Sequence, residues 1–165
     1  MDSSDSNNPG GHPCEWSGCP NFGAETTLRC SSCKKAWYCS PECQKYAWTF
    51  HIFQCKPNTR IKPAYHLAKA CADDEIPKDP QTRRVFGFDN AARIDAEGKM
   101  VGLYQGLFLA NGWKLEPREI EKWVKEGTLI QNIKTTFENY GPPESRGLYY
   151  PWFLQNQWIL DGTAK

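Results

Sequence analysis

Between Cys14 and Cys55 the chain carries seven cysteines and one histidine in the order C-x4-C-x10-C-x2-C-x5-C-x3-C-x7-H-x3-C. Zinc takes four tetrahedral ligands from thiolate and imidazole, so eight such ligands supply two closed sites. A segment this short buries too little apolar surface to fold alone, because domains below about 40 residues need metals, disulfides or oligomerisation. Coordination worth roughly 10–16 kcal/mol per structural zinc supplies what the core lacks. A closed site leaves no position for water or substrate, so both ions are expected to be structural and not catalytic.

Composition separates metal from disulfide. Eight cysteines are an even number and would also suit a disulfide framework, but only in a secreted chain. Residues 1–11 are polar and lack the basic start and apolar centre of a secretion signal. The longest apolar run, Met100 to Ala110, is interrupted by Gln105 and falls far short of the roughly 20 residues of a membrane span. The expectation is a soluble intracellular protein, nuclear or cytoplasmic and without a membrane partner, whose paired thiols hold metal. A hydrophobic fraction of 39% with 13% aromatics suits folded structure, and the net charge of +1 is too small for a general nucleic-acid binder.

Three zones follow along the 165 residues. Residues 1–13 read as a disordered N-terminal tail, residues 14–57 as the zinc module, and residues 64–165 as a small helical domain reached through a linker at Asn58 to Pro63. In the module, Ser40-Pro41 is an N-cap and first helical position that places Cys43 in the first turn, and His51 and Cys55 share a helix face. Beyond it, a short helix is expected over Ala64 to Ala72, ending in the acidic turn Asp73-Asp74-Glu75, then a polar loop to about Gln81. Ala91 to Asn111 reads as a helix or helix pair, with Met100, Leu103, Tyr104, Leu107 and Phe108 on one apolar face. Pro117 opens a helix stopped by Gly127, and Leu129, Ile130, Ile133 and Phe137 form the stripe of the next. Pro151 begins a final aromatic segment containing Trp152, Phe153, Trp158 and Ile159. Gly102-x3-Gly106 is a close-packing signature.

Histidine is fourth among the ligands of RING-type fingers and fifth in PHD-type fingers, whereas here it is seventh, as H-x3-C. With Tyr38-Cys39-Ser40, Cys43-Gln44, Trp48, His51 and Cys55 around it, this order resembles the MYND-type zinc finger. The resemblance implies interleaved ligands: Cys14, Cys19, Cys39 and Cys43 on one zinc, Cys30, Cys33, His51 and Cys55 on the other. The pair Cys14 and Cys19 is C-x4-C where many members have C-x2-C. His12 is a solvent-exposed tail histidine that also stands close enough to Cys14 to compete as a ligand. Cys71, the unmatched thiol, is expected as a small apolar residue on a helix, with His66 off its face.

The resemblance also implies a protein-interaction module that docks short proline-containing peptides on Ser31, Gln44 and Trp48, with Ala47 where the family usually has an acidic residue. The stretch Arg146 to Phe153 looks like the C-terminal extension of fungal MYND-finger proteins. The reading is therefore a non-enzymatic adaptor with a protein or peptide partner, acting in transcription among other roles. The alternatives are a nucleic-acid-associated finger resting on Arg29, Lys34, Lys35 and Lys45, and a remnant of SET/MYND lysine methyltransferases without a catalytic domain. About a hundred residues of helical pattern cannot hold the β-rich SET domain, and no P-loop or G-x-G-x-x-G occurs.

Overall fold

In the computed structural model the described residues are 11–21, 24–56 and 58–162. The chain divides between Arg60 and Ile61 into two units, each with its own core. Most of the expected tail, residues 1–10, lies outside the described residues, as does Pro57 at the end of the expected module.

The N-terminal unit is built on a two-residue hairpin and one helix. Strands β1 (Leu28–Arg29) and β2 (Trp37–Tyr38) pair antiparallel, with Leu28 opposite Tyr38 and Arg29 opposite Trp37. The turn between them is closed by Cys30 N–H donating to Ala36 O at 2.9 Å, Lys34 N–H donating to Cys30 O at 2.9 Å, and Arg29 Nε–H donating to Lys34 O at 2.6 Å. Helix α1 (Pro41–Cys55) starts where Ser40 and Pro41 predict: Cys43 N–H donates to Ser40 Oγ at 3.1 Å and Glu42 faces the positive end of the helix. The core of this unit consists of Cys19, Cys30, Ala36, Tyr38, Cys43 and Ala47. Half of that list is cysteine and two more are alanine, so apolar burial alone is a weak source of stability here.

The second unit is helical throughout its described elements: α2 (Pro63–Ala72), α3 (Pro80–Val85), α4 (Phe88–Ala92), α5 (Glu97–Ala110), α6 (Pro117–Glu126), α7 (Leu129–Tyr140), α8 (Tyr149–Gln155) and α9 (Trp158–Asp161). Helix α5 packs against α2, α4, α7 and α8, and its stripe of Met100, Leu103, Tyr104, Leu107 and Phe108 is buried as the spacing predicts. Ile120, Ile133, Phe137, Phe153 and Ile159 complete the same core, with Trp123, Trp152 and Trp158 half-buried against it. Polar groups in this core are paired. Tyr104 Oη donates to Phe86 O at 3.1 Å, and Thr82 Oγ1 bonds both Asp79 and the Pro63 carbonyl. Arg83 joins Asp89 at 2.9 Å and Glu97 at 2.5 Å, tying α3 to α4 and α5.

Two local readings differ from the structure. The loop expected to run to about Gln81 ends at Asp79, whose carboxylate caps Thr82 N–H at 2.8 Å and, with Pro80 at N1, starts α3. The last aromatic helix begins at Tyr149, two residues before Pro151, which sits in the first turn where its missing N–H leaves no intrahelical bond unmade.

Gly102 and Gly106 let two rings close onto α5. A Cβ at Gly102 would lie 2.3 Å from the Tyr149 ring, and one at Gly106 would lie 3.0 Å from Phe137. Gly102→Ala is therefore expected to lower stability by about 1–3 kcal/mol, seen as a shifted urea midpoint. In a double-mutant cycle with Tyr149→Ala the two changes should couple, since they share one contact.

Candidate metal centres

The four residues from Glu15 to Gly18 form a tight loop, with Glu15 N–H donating to Trp37 O at 2.9 Å and Cys19 N–H to Trp16 O at 3.0 Å. This loop presents Cys14 and Cys19, the strand β2 exit presents Cys39, and the first turn of α1 presents Cys43. Their ligand atoms all lie within 4.8 Å of one another. The Sγ–Sγ separations are 3.5 Å for Cys19–Cys39, 3.5 Å for Cys39–Cys43 and 3.7 Å for Cys19–Cys43. The second group draws Cys30 and Cys33 from the hairpin turn and His51 and Cys55 from one face of α1, again within 4.8 Å. Cys30 Sγ lies 3.7 Å from Cys55 Sγ, and Cys33 Sγ lies 3.3 Å from His51 Nε2.

These distances decide between a disulfide and a metal. A disulfide holds its sulfurs at about 2.0 Å, whereas a tetrahedron with Zn–S near 2.3 Å has an edge of about 3.8 Å. The observed spacings match the tetrahedral edge. Thiolate and imidazole are zinc's preferred donors, so both sets fit the ion, two per chain and each with four protein ligands. The order of ligands is interleaved as the MYND resemblance implies.

The surroundings act on the thiols in both directions. Asn21 N–H donates to Cys19 Sγ and Lys35 N–H to Cys33 Sγ, each at 3.4 Å. Burial opposes ionisation of Cys30, but the N–H groups of Cys33 and Ser32 and the His51 ring outweigh it and bring this thiol from 9.0 to about 6. Burial likewise opposes ionisation of Cys39, and its cysteine neighbours overcome it to lower the thiol. In the opposite direction, burial pushes Cys43 up to about 12, helped by the crowding of Cys39 and Cys19 and opposed by Ser40. Burial raises Cys19 and Cys55 as well. Raised and lowered thiols side by side are what clustered, mutually repelling thiolates produce, and a dication among them removes the repulsion.

Other residues singled out in the sequence fall in different places. His12 is exposed and stacks on Trp37, ring centroids 4.7 Å apart, and its carbonyl accepts from Thr26 Oγ1 at 2.8 Å. Its ring is thus committed to the hairpin, and both ligand sets are complete without it. Cys71 is buried on α2, its thiol raised to about 12 by burial and then by Asp74, which makes it an inert core residue. Arg29 stacks its guanidinium 5.1 Å from the Trp37 ring while closing the hairpin turn, so it serves the fold. Gln44 and Trp48 lie one turn apart on α1, both half-buried, and Ser31 is exposed in the turn after Cys30. The Trp48 ring meets His51 edge-on at 5.9 Å, with Lys56 Nζ 5.8 Å from its centroid. Sequence reasoning missed the role of Tyr38, whose ring meets His51 edge-on at 6.3 Å, and of Trp16, which leans on Tyr46 at 5.3 Å.

Residues 14–55 match the MYND finger family. This segment is a MYND-type zinc finger, a zinc-binding protein-interaction module. The chain is similar to human Tudor domain-containing protein 1, at 38% identity over 64 residues that make up 36% of this chain and 5% of the relative. It is similar to the human histone-lysine N-methyltransferase SMYD3, at 49% identity over 44 residues, 27% of this chain and 10% of the relative. The histone-lysine N-methyltransferase ASHR1 of Arabidopsis thaliana shares 40% identity over 41 residues, 25% of this chain and 8% of the relative. The match thus spans a tenth or less of each of these relatives' own length. No solved structure matches the chain.

Native mass spectrometry should show two zinc ions per chain; a stoichiometry of one would contradict the assignment. Acidification should release them. A thiol with a lowered pKa such as Cys30 contributes its full stabilisation above about 9, its ordinary value, and loses it as pH falls toward about 6. Because zinc replaces the proton, metal retention extends this window downward, so release followed with a zinc-sensitive dye should begin below about pH 6. Release that begins above pH 7 would show that the thiols are not held as ligands.

Proposed function

We propose that the chain is a non-enzymatic adaptor whose finger docks short proline-containing segments of partner proteins across Gln44 and Trp48. The supporting observation is the placement of these two side chains. They share one face of α1, the helix that also supplies Cys43, His51 and Cys55 to the two centres. The metals therefore fix the helix, and the Trp48 indole is braced against the ligand His51. A fixed indole face suits proline rings, and a primary amide suits the backbone of an extended peptide. Ser31, exposed beside Cys30, extends the same reading to the hairpin turn. Four protein ligands at each centre leave no coordination position for a substrate, which favours binding over catalysis by the metals.

By this reading the protein works inside the cell, in nucleus or cytoplasm, with any role in transcription exercised through its partner. Direct nucleic-acid contact is the weaker reading, since Arg29 is engaged within the hairpin and the chain is nearly neutral. Two of the relatives are named for histone-lysine methyl transfer, but the likeness to them is confined to about a quarter of this chain.

A fluorescent peptide carrying a P-x-L-x-P core, titrated into the zinc-loaded full chain, tests the proposal. Trp48→Ala should weaken binding by about tenfold or more, as removal of an aromatic anchor does, with two zinc ions retained. Gln44→Ala should weaken it less. Affinity should change little between low and moderate salt, unlike phosphate-driven binding. Equal binding by wild type and Trp48→Ala would overturn the reading.

A further inference from the structure

A second face of α1 borders a cleft of about 180 Å³ that lies wholly within the finger. Its walls include Glu15 and Trp16 from the Cys14–Cys19 loop, Tyr38 from β2, and Ala47, Phe50, the ligand His51 and Gln54 from α1. A neighbouring hollow shares Glu15, His51 and Gln54 and continues toward Lys35. On a helix of 3.6 residues per turn, residues 47, 50 and 54 project to one side of the line through Gln44 and Trp48, so the cleft lies beside the proline-binding face and meets it at His51.

Three properties of the cleft define its occupant. It is smaller than the roughly 300–1,000 Å³ of cofactor and drug-sized pockets, so it suits one side chain. It combines the half-buried rings of Trp16, Phe50 and His51 with a single carboxylate, Glu15. Aromatic faces attract cations through their quadrupole, most strongly where water is displaced, and a carboxylate adds a charged acceptor. Lastly, Glu15 is solvent-exposed, so its carboxylate is accessible to an incoming cation.

The wall is held in place before anything binds. Gly18 leaves room for the Trp16 indole, which a Cβ there would approach to 2.8 Å, and Tyr46 leans on the ring at 5.3 Å. Ala47 keeps the helix side of the cleft open because its side chain is a single methyl. We infer that this cleft is a binding site for an alkylammonium group, the lysine side chain of a partner protein, gripped between the aromatic walls and Glu15.

The inference rests on the finger being a protein-interaction module but not on the proline-binding face, and the experiment separates the two. Acetyl-Gly-Lys-Gly-amide, its Nε-trimethyl form and the norleucine analogue are titrated into the zinc-loaded full chain, observed by amide and indole NMR shifts. Both cationic peptides should move the Trp16 indole signal and the amides of residues 15–18 saturably, and the neutral norleucine peptide should not. Glu15→Gln should weaken binding about tenfold with two zinc ions retained, and by more than Trp48→Ala does. The inference is overturned if norleucine binds as well as lysine, or if Glu15→Gln with intact zinc content binds the lysine peptide as wild type does. A Trp48→Ala chain that loses P-x-L-x-P binding yet still binds lysine would leave both readings standing as separate sites.

Discussion

Crossed metal coordination is the constraint on which the finger depends. Each ligand set takes members from segments far apart in sequence: the early loop, the hairpin exit and the helix start for one, the hairpin turn and the later helix for the other. Neither set can close unless the hairpin and α1 are already juxtaposed, and closing either one juxtaposes them. The apolar core of this unit is made largely of the ligands themselves and of alanine. Coordination energy therefore takes the place that side-chain burial fills in larger domains.

Helix α1 is the element through which this constraint becomes function. It gives a ligand to each centre, so it is pinned near both ends, and its remaining faces are presented in fixed orientation. Gln44 and Trp48 lie on one of these faces, and Ala47, Phe50, His51 and Gln54 line the cleft beside it. A rigid helix presents groups with less loss of side-chain and backbone freedom on binding than a mobile loop would, which is how a small module reaches useful affinity.

The second unit is organised by different physics. It has no metal set among its described residues and relies on a contiguous core around α5, with Phe86, Phe88, Tyr104 and Phe108 fully buried. Close approach is achieved by Gly102 and Gly106, and helix starts are set by Pro63, Pro80 and Pro117 at the first helical position. One of those starts is completed from another helix: Ala64 N–H at the head of α2 donates to Glu121 of α6 at 2.9 Å. Local spacing cannot reveal a cap supplied by a residue so distant in sequence.

Much of this was readable in the residue order. The number and type of metal ligands, the start of α1 at Ser40-Pro41, the apolar stripe of α5 and the glycine stop at Gly127 all follow from short-range stereochemistry, which repeats with fixed periods. The start of α3 was also written in Asp79-Pro80, but it was obscured by the polar run before it. The tertiary structure alone settled which surfaces the loop residues build. Glu15 and Trp16 look like spacer between two ligands, and Tyr38 stands out only as part of the motif around Cys39. They become one cleft only because the fold of the finger brings the loop against α1. Ligand identity is encoded in side-chain chemistry, whereas juxtaposition depends on the path of the chain between ligands, and that path is set by the packing and coordination of the whole finger.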